Sequence, residues 1–145
     1  MLSLADKLTP QQRSANMARI RSRHTTPELT VRRIVHSLGF RYRLHRRDLP
    51  GTPDLVLPKS KRVIFVNGCF WHRHPSCHLT SMPKSNVAFW EAKFERTVRR
   101  DEMARRALQE LGWTVLTVWE CETRDVQSLA GRLRKLLKST NMKFS

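Results

Sequence analysis

The sequence lacks any long run of apolar residues. Nowhere among its 145 residues does an apolar stretch approach the roughly 20 residues that a membrane-spanning helix needs. The first residues, MLSLADKLTPQQ, contain no apolar segment of the length found in signal peptides. These two absences predict a cytoplasmic protein that is not inserted in a membrane.

Cysteine is scarce, and its number is odd. The chain has three cysteines, and without an export signal they indicate thiols or metal ligands instead of a disulfide framework.

Internal repeats, linkers and an exposed apolar heptad pattern are absent as well. A length of 145 residues suffices for one substantial core. We therefore expect a single domain that is a monomer.

Acidic residues are few compared with basic ones. Asp and Glu number 12 against 28 Lys and Arg, which gives a net charge of +16 and a sequence pI near 11.3. Such a charge predicts a polyanionic partner, nucleic acid first and an anionic membrane surface second. The alternative is a solvated basic surface without a partner. Because 39% of the residues are hydrophobic, the chain is a folded protein and not a basic tail.

Hydrophobic periodicity and capping signals predict the order helix, helix, three strands, helix, strand, helix. A thin, arginine-rich helix occupies residues 9–23, and an amphipathic helix follows from Thr26 to Gly39. Strands are predicted at 40–45, 54–57, 62–67 and 113–119, a long helix from Ser85 or Asn86 to Gly112, and a last helix after Asp125. Residues 1–24 are thus predicted to be an arm, 25–139 the domain, and 140–145 a frayed tail.

This order predicts an α/β fold with a small mixed β-sheet flanked by helices. The second and third strands are close in sequence and should pair as an antiparallel hairpin. The fourth strand is reached across a helix and should run parallel to the third. In the first strand, three apolar residues alternate with three basic ones that we expect on its outer face; these are Phe40, Tyr42 and Leu44, and Arg41, Arg43 and His45.

The first chemical signal is the Pro53-Asp54 pair at the start of the second strand. A carboxylate fixed on a strand, beside backbone oxygens of its neighbour such as those near Val66, suits a hard cation such as Mg²⁺. By itself the dipeptide is weak evidence for a metal site, since Pro-Asp also occurs in ordinary turns. Glu28 has a similar ambiguity: it is either a partner of its helix dipole or part of a metal site.

The segment at residues 63–77, VIFVNGCFWHRHPSC, contains the second signal. Cys69, His74 and Cys77 are spaced so that three ligands can surround one ion, and Cys121 follows the neighbouring strand. Together they predict a structural zinc site. The alternatives are a Cys69–Cys77 disulfide with a spare thiol, or His78 as the ligand in place of His74.

Two further features in and near this segment suggest chemistry on DNA. His72 lies between the proposed zinc ligands and suits a base that takes a proton from water, or else a metal ligand or phosphate contact. Phe70 and Trp71 are adjacent, so in extended chain they point opposite ways, and at least one should face a partner. With Trp90 they could wedge between base pairs, although Trp90 could equally be core, with Phe89 facing out. We expect Trp113 and Trp119 in the core.

Four blocks of the sequence closely resemble the very short patch repair (Vsr) DNA mismatch endonucleases, namely PGTPDLVLP, VIFVNGCFWHRH, FW at residues 89–90, and ELGWTVLTVWEC. The likeness extends from about Arg13 to the last helix. It implies a restriction-endonuclease-like fold in residues 25–139. It also implies a hydrolase that nicks double-stranded DNA 5′ of the thymine in T:G mismatches formed by deamination of 5-methylcytosine, which begins repair.

The resemblance also implies roles for individual residues. Asp54 would bind Mg²⁺, with the backbone of Val66, and His72 would activate water, supported by Glu28 and Asp101. The other matched positions fall into three groups, which are the structural zinc ligands, the wedging aromatics and a DNA-contacting arm: Cys69, His74, Cys77 and Cys121; Phe70, Trp71 and Trp90; Arg13, Met17, Arg19 and Ile20.

The chain departs from the family pattern at two places. Asn67 stands where some members have a second histidine, so it can bind a water or phosphate but cannot transfer a proton. The zinc loop is one residue longer between His74 and Cys77 than in some relatives, which keeps His78 open as a ligand. As the resemblance predicts, this chain lacks the second carboxylate and the lysine that related nucleases usually have after the Pro-Asp strand.

Two other functions remain open from the sequence. One is a Mg²⁺-dependent DNA nuclease of the same fold with another target, and the other is a non-catalytic, zinc-stabilised DNA-binding module.

Overall fold

The computed structural model describes residues 25–139. The helices are α1 (Thr26–Ser37), the single turn α2 (Cys69–His72), α3 (Val87–Glu110) and α4 (Val126–Lys138). The strands are β1 (Arg43–Leu44), β2 (Leu55–Leu57), β3 (Arg62–Asn67) and β4 (Thr114–Trp119). The predicted arm and its four DNA contacts, Arg13, Met17, Arg19 and Ile20, lie outside the described residues, as does the tail at 140–145.

The four strands form one mixed sheet in the order β1-β2-β3-β4. β1 with β2 and β2 with β3 pair antiparallel, and β3 with β4 parallel, in register from Arg62 with Thr114 to Asn67 with Trp119. The predicted hairpin, the parallel crossover and the α/β fold class are therefore confirmed. The parallel pair places the ends of β3 and β4 at the same edge of the sheet, where Cys69 and Cys121 follow.

Apolar residues on β3 alternate between the two faces of the sheet, so each face has its own core. Ile64 packs on the α1 and α4 side with Val35 and Leu133, and Val63 packs on the other side with Leu108 of α3. All five of these side chains are fully buried. Burial of such a side chain stabilises the fold by about 1.5–3 kcal/mol, and the rigid sheet provides the support for the loops at its edge.

Several boundaries differ from the predictions. Thr25, not Thr26, caps α1, and its hydroxyl accepts from the amide of Glu28 at 3.3 Å. The first strand is shorter than predicted because it ends at Leu44, where His45 adopts a positive φ of 46° that interrupts extended backbone. Across the described residues, no helix is long and apolar enough to cross a membrane.

Candidate active site and metal centre

Asp54 lies at the start of β2, where the hairpin holds its carboxylate against β3. The amide of Val66 donates to Asp54 Oδ2 at 2.7 Å. Burial raises the pKa of the Asp54 carboxyl to about 6, and the charge of Glu28 adds to this, while the Val66 amide, His45 and His72 oppose it. A carboxylate this poorly solvated is stabilised in its charged form by a cation.

Glu28 is only 2% exposed and also belongs to this site. Its Oε2 accepts from Arg32 one helical turn later in α1 and lies 2.9 Å from His45 Nε2. His45 Nε2 is in turn 3.9 Å from Asp54 Oδ1. Ligand atoms of Glu28, His45 and Asp54 all lie within 4.8 Å of one another, a grouping that could hold a metal ion. Of the two interpretations of Glu28, the structure favours the metal site.

His45 is a site residue that the sequence analysis missed. We predicted its side chain on a basic outer face, but the chain turns at this residue and the side chain is only 10% exposed. In the structure Leu44 pairs with Leu55, so His45 lies opposite Asp54 on the neighbouring chain segment. The error came from extending the alternation of the strand by one residue too many.

His72 and Asp101 form a second pair of catalytic type. His72 ends α2, Asp101 lies on α3, and His72 Nδ1 is 2.6 Å from Asp101 Oδ2. A carboxylate at Nδ1 fixes the tautomer of a neutral imidazole with its proton on Nδ1, which leaves Nε2 as the acceptor. The pair therefore fits a general base whose orientation is held by a carboxylate.

One cleft connects these groups. It has a volume of about 1140 Å³ and is lined by Asp54, His45, His72 and Asp101, and by Asn67 at the end of β3. Its remaining walls include four basic side chains, which are Arg73, Lys93, Arg100 and Arg105. A cleft that is lined by both carboxylates and basic side chains can hold a cation and a polyanion together.

The four predicted zinc ligands also meet at one point. Cys69, His74, Cys77 and Cys121 place their ligand atoms within 4.8 Å of one another. His74 Nδ1 is 3.6 Å from Cys69 Sγ and 3.5 Å from Cys121 Sγ. Bonds of about 2.3 Å to sulfur and 2.05 Å to nitrogen give a tetrahedral sulfur–nitrogen edge of about 3.6 Å, so the donor set fits a tetrahedral ion.

The surroundings of the sulfurs suit thiolates held by a metal. Backbone amides of Cys121 and Leu79 donate to Cys69 Sγ at 3.4 Å and to Cys77 Sγ at 3.5 Å. Burial raises the pKa of Cys69 to about 12 and also raises that of Cys121. Ion binding must therefore release protons from these thiols. His78 is exposed and lies outside the cluster, so the geometry favours His74.

Trp119 was predicted to be core, but it has a different role. Its ring stacks on that of His74, with centroids 4.3 Å apart and planes inclined by 14°. Trp113, in contrast, is buried as predicted. Trp119 is the last residue of β4, so the sheet orients the histidine of the metal centre through this contact.

The predicted wedging aromatics lie together on one surface. Phe70 and Trp71 belong to a helical turn and not to extended chain, so they share a side, with ring centroids 5.1 Å apart. Trp90 on α3 packs 5.8 Å from Trp71 and 5.6 Å from the buried Phe94. Phe89 is 40% exposed. The aromatic patch, Phe70, Trp71 and Trp90, thus has a buried base and a half-exposed surface next to the cleft.

Comparisons with known proteins identify relatives of this chain. The family model described as DNA mismatch endonuclease Vsr matches residues 5–79. The type II nicking enzyme V.XorIIP of Xanthomonas oryzae pv. oryzae is 46% identical over 134 residues, which cover 92% of this chain and 98% of that protein. The DNA mismatch endonuclease Vsr of Escherichia coli strain K12 is 40% identical over 129 residues, which cover 89% of this chain and 80% of that protein.

A solved structure is also similar. The catalytic domain of the homing endonuclease I-Bth0305I superposes with a TM-score of 0.54 at 24% identity, and the match covers 77% of this chain and 93% of that one. At this identity the likeness establishes a common fold.

Proposed function

The chain belongs to the Vsr family of DNA mismatch endonucleases, and from this premise we propose that it nicks double-stranded DNA 5′ of the thymine in a T:G mismatch. The observation that supports this best is the convergence of Asp54 and the His72–Asp101 pair in one basic cleft next to the aromatic patch. Because its substrate is chromosomal DNA, we place the protein in the cytoplasm with the nucleoid.

The catalytic cation in this proposal is Mg²⁺, held by Asp54 near Val66. When bound, such an ion supplies charge neutralisation at the scissile phosphate and at the leaving oxygen. The chain prepares this position, because Asp54 is fixed by the Val66 amide at 2.7 Å and its buried carboxylate needs a positive neighbour. Asn67 lines the same cleft and can donate or accept a hydrogen bond to a phosphate or water.

His72 takes the proton of the attacking water at Nε2. Its Nδ1 faces Asp101 at 2.6 Å, so the imidazolium that forms is stabilised by an adjacent carboxylate. Asn67 cannot serve as a second base, because an amide does not titrate in this range. More of the proton transfer therefore depends on His72 and on the orientation that Asp101 gives it.

Affinity and mismatch selection come from different parts of the surface. The basic walls of the cleft bind phosphates without sequence preference, and this binding should weaken as salt rises. Selection comes from deformation, because a T:G pair is stacked less well than a matched pair and is cheaper to unstack when Phe70 and Trp71 insert.

The test of this function compares duplexes that differ in one base pair. A labelled duplex with a single T:G pair should be nicked in the presence of Mg²⁺, whereas the matched T:A and C:G duplexes should remain intact. Equal cutting of matched DNA would instead indicate a nuclease of the same fold with another target. Binding without cutting would indicate the non-catalytic module.

Replacement of Trp71 with alanine should reduce discrimination between T:G and matched duplexes about tenfold, since an aromatic–base stack is worth about 1–3 kcal/mol. Affinity for matched DNA should change little. The measurement is competitive binding on both duplexes. Met103→Ala is the control, because Met103 is a large apolar residue of α3 that is 65% exposed and is not part of the aromatic patch. An equal loss on both duplexes after Trp71→Ala would argue against wedging.

The ion of the metal centre is proposed to be structural Zn²⁺, bound by three cysteines and one histidine: Cys69, His74, Cys77 and Cys121. Cys77→Ala should lower the zinc content from one ion per chain toward zero and reduce the free energy of unfolding by at least about 3 kcal/mol. Elemental analysis measures the zinc content, and denaturant melts measure the free energy of unfolding. His78→Ala should retain the zinc, and unchanged zinc in Cys77→Ala would point to His78 as a ligand or to the absence of a zinc site.

A further inference from the structure

The backbone at His45 has an unusual conformation that turns the side chain into the cleft. The residue follows β1 with φ at 46°, in the left-handed region, which costs a non-glycine residue on the order of 1–2 kcal/mol. Its amide donates to the Asp54 carbonyl at 3.2 Å. Residues held in this way against local preference cluster at functional sites.

The imidazole nitrogen Nε2 of His45 lies close enough to two carboxylate oxygens for all three atoms to bind the same cation. His45 Nε2 is 2.9 Å from Glu28 Oε2 and 3.9 Å from Asp54 Oδ1. With bonds of about 2.1 Å, two adjacent ligands of an octahedral ion are about 3 Å apart and two opposite ligands about 4.2 Å. The two distances from His45 Nε2 are close to this range of about 3–4.2 Å, and all three ligand atoms lie within 4.8 Å of one another, a grouping that could hold one metal ion.

The charge of this cluster also fits a divalent ion. Glu28 and Asp54 carry two negative charges, and Arg32 supplies one positive charge to Glu28. A metal ligand must be an uncharged imidazole, so these charges sum to about −1. The side chains of Glu28, His45 and Asp54 are 3%, 10% and 18% exposed, respectively. Buried charge of this kind is normally paired or coordinated to a metal.

We infer that His45 is a third ligand of the active-site cation, with Glu28 and Asp54, and that its nitrogen gives this pocket a preference for Mn²⁺ over Mg²⁺. The inference rests on the proposed function, which places a divalent ion at Asp54. Mg²⁺ is a hard cation that binds through oxygen ligands, whereas Mn²⁺ belongs to the first-row transition metals and accepts an imidazole nitrogen beside oxygen ligands. A pocket with one nitrogen among oxygens therefore binds Mn²⁺ more tightly than a purely oxygen pocket would.

The test uses the full-length, zinc-loaded protein with Mn²⁺ as the probe. Free Mn²⁺ is measured by electron paramagnetic resonance to obtain its dissociation constant, and Mg²⁺ is measured by competition. His45→Gln should weaken Mn²⁺ binding about tenfold or more and change Mg²⁺ binding much less. The matched control is His36→Gln, since His36 is an exposed histidine in the last turn of α1.

A spectroscopic readout makes the test independent of how well the variant folds. Electron spin-echo modulation of Mn²⁺ bound to the unmodified protein should show coupling to a directly bound nitrogen, retained in His72→Gln and lost in His45→Gln. Absence of this coupling in the unmodified protein would overturn the inference. An equal loss of Mn²⁺ and Mg²⁺ affinity in His45→Gln would also overturn it, because His45 would then only position the carboxylates.

The inference and the proposed function can fail separately. Nicking of the T:G duplex with Mg²⁺, together with no nitrogen coupling to Mn²⁺, would retain the function and reject the ligand. Nitrogen coupling that is lost in His45→Gln, with no nicking in either metal, would retain the ligand and reject the mismatch endonuclease.

Discussion

Replacement of Asp54 with asparagine is expected to lower the nicking rate at least about a thousandfold. The loss of the anionic ligand removes several kcal/mol of charge stabilisation at the phosphate, and each 1.36 kcal/mol is about tenfold in rate. Asparagine keeps the shape and can still accept the hydrogen bond from the Val66 amide. The measurement is single-turnover nicking of a T:G duplex with Mg²⁺ in excess, and a residual rate above about one hundredth of the original would contradict a metal-binding role.

The same substitution is expected to stabilise the zinc-loaded protein when no Mg²⁺ is added. The folded pKa of Asp54 is raised from 3.8 to about 6, so the folded state binds more protons than the unfolded state between these values. Stability therefore falls as pH rises from about 4 to about 6, and the cost persists above that range. Asparagine removes this cost, which is on the order of 1–3 kcal/mol.

Denaturant melts of the two proteins at pH 4 and pH 8 measure this effect. The Asp54→Asn variant should be the more stable protein at pH 8, and the difference should shrink at pH 4, where Asp54 is protonated in the folded state. Added Mg²⁺ should narrow the gap at pH 8 by stabilising the unmodified protein. A variant that is less stable at pH 8 would show that Asp54 supports the fold and is not held at an energetic cost for function.

Replacement of His72 with asparagine is expected to lower the nicking rate about 10²–10⁴-fold, the usual contribution of a general base. Affinity for the T:G duplex should remain within a few-fold, because the phosphate contacts come from other side chains. Asp101→Asn should cause a smaller loss, since it disturbs the tautomer and orientation of the imidazole but leaves it in the cleft. Single-turnover nicking and equilibrium binding measure the two effects separately.

The double variant tests whether the two residues act as a unit. If Asp101 acts through His72, the rate of the His72→Asn and Asp101→Asn double variant should be close to that of His72→Asn alone. Losses that multiply would show that the two residues contribute independently and would contradict the dyad. Glu95→Gln is a suitable control, because Glu95 is an acidic residue on the same helix that is 68% exposed and paired with Arg99.

The elements with a clear hydrophobic pattern were predictable from the sequence. Strand β3 is where the run from Arg62 to Asn67 predicted it, and Asp125 caps α4 as expected, with its Oδ1 accepting from Ser128 at 3.1 Å. The parallel pairing of β3 with β4 was predictable as well, because chain connectivity leaves few alternatives. That pairing alone places Cys121 near Cys69, which is why the metal cluster could be read from cysteine positions.

The features that could not be predicted depend on single backbone dihedrals or on tertiary contacts. His45 enters the site through one left-handed residue, and nothing in a strand-like alternation of apolar and basic residues signals where it stops. Phe70 and Trp71 share a side because Cys69–His72 forms a helical turn, which four residues cannot specify by periodicity. Trp119 stacks on His74, a contact made only after the long crossover through α3 is complete.

Mapping the position of the cut is the measurement that best tests whether this chain cuts one strand at a mismatch. A duplex with one T:G pair, labelled on either strand, is incubated with the protein and Mg²⁺, and the product is sized at nucleotide resolution with Asp54→Asn as the control. We expect a single nick 5′ of the mismatched thymine, on that strand only, and no product with the variant. Cuts on both strands, cuts away from the mismatch, or equal cutting by Asp54→Asn would contradict it.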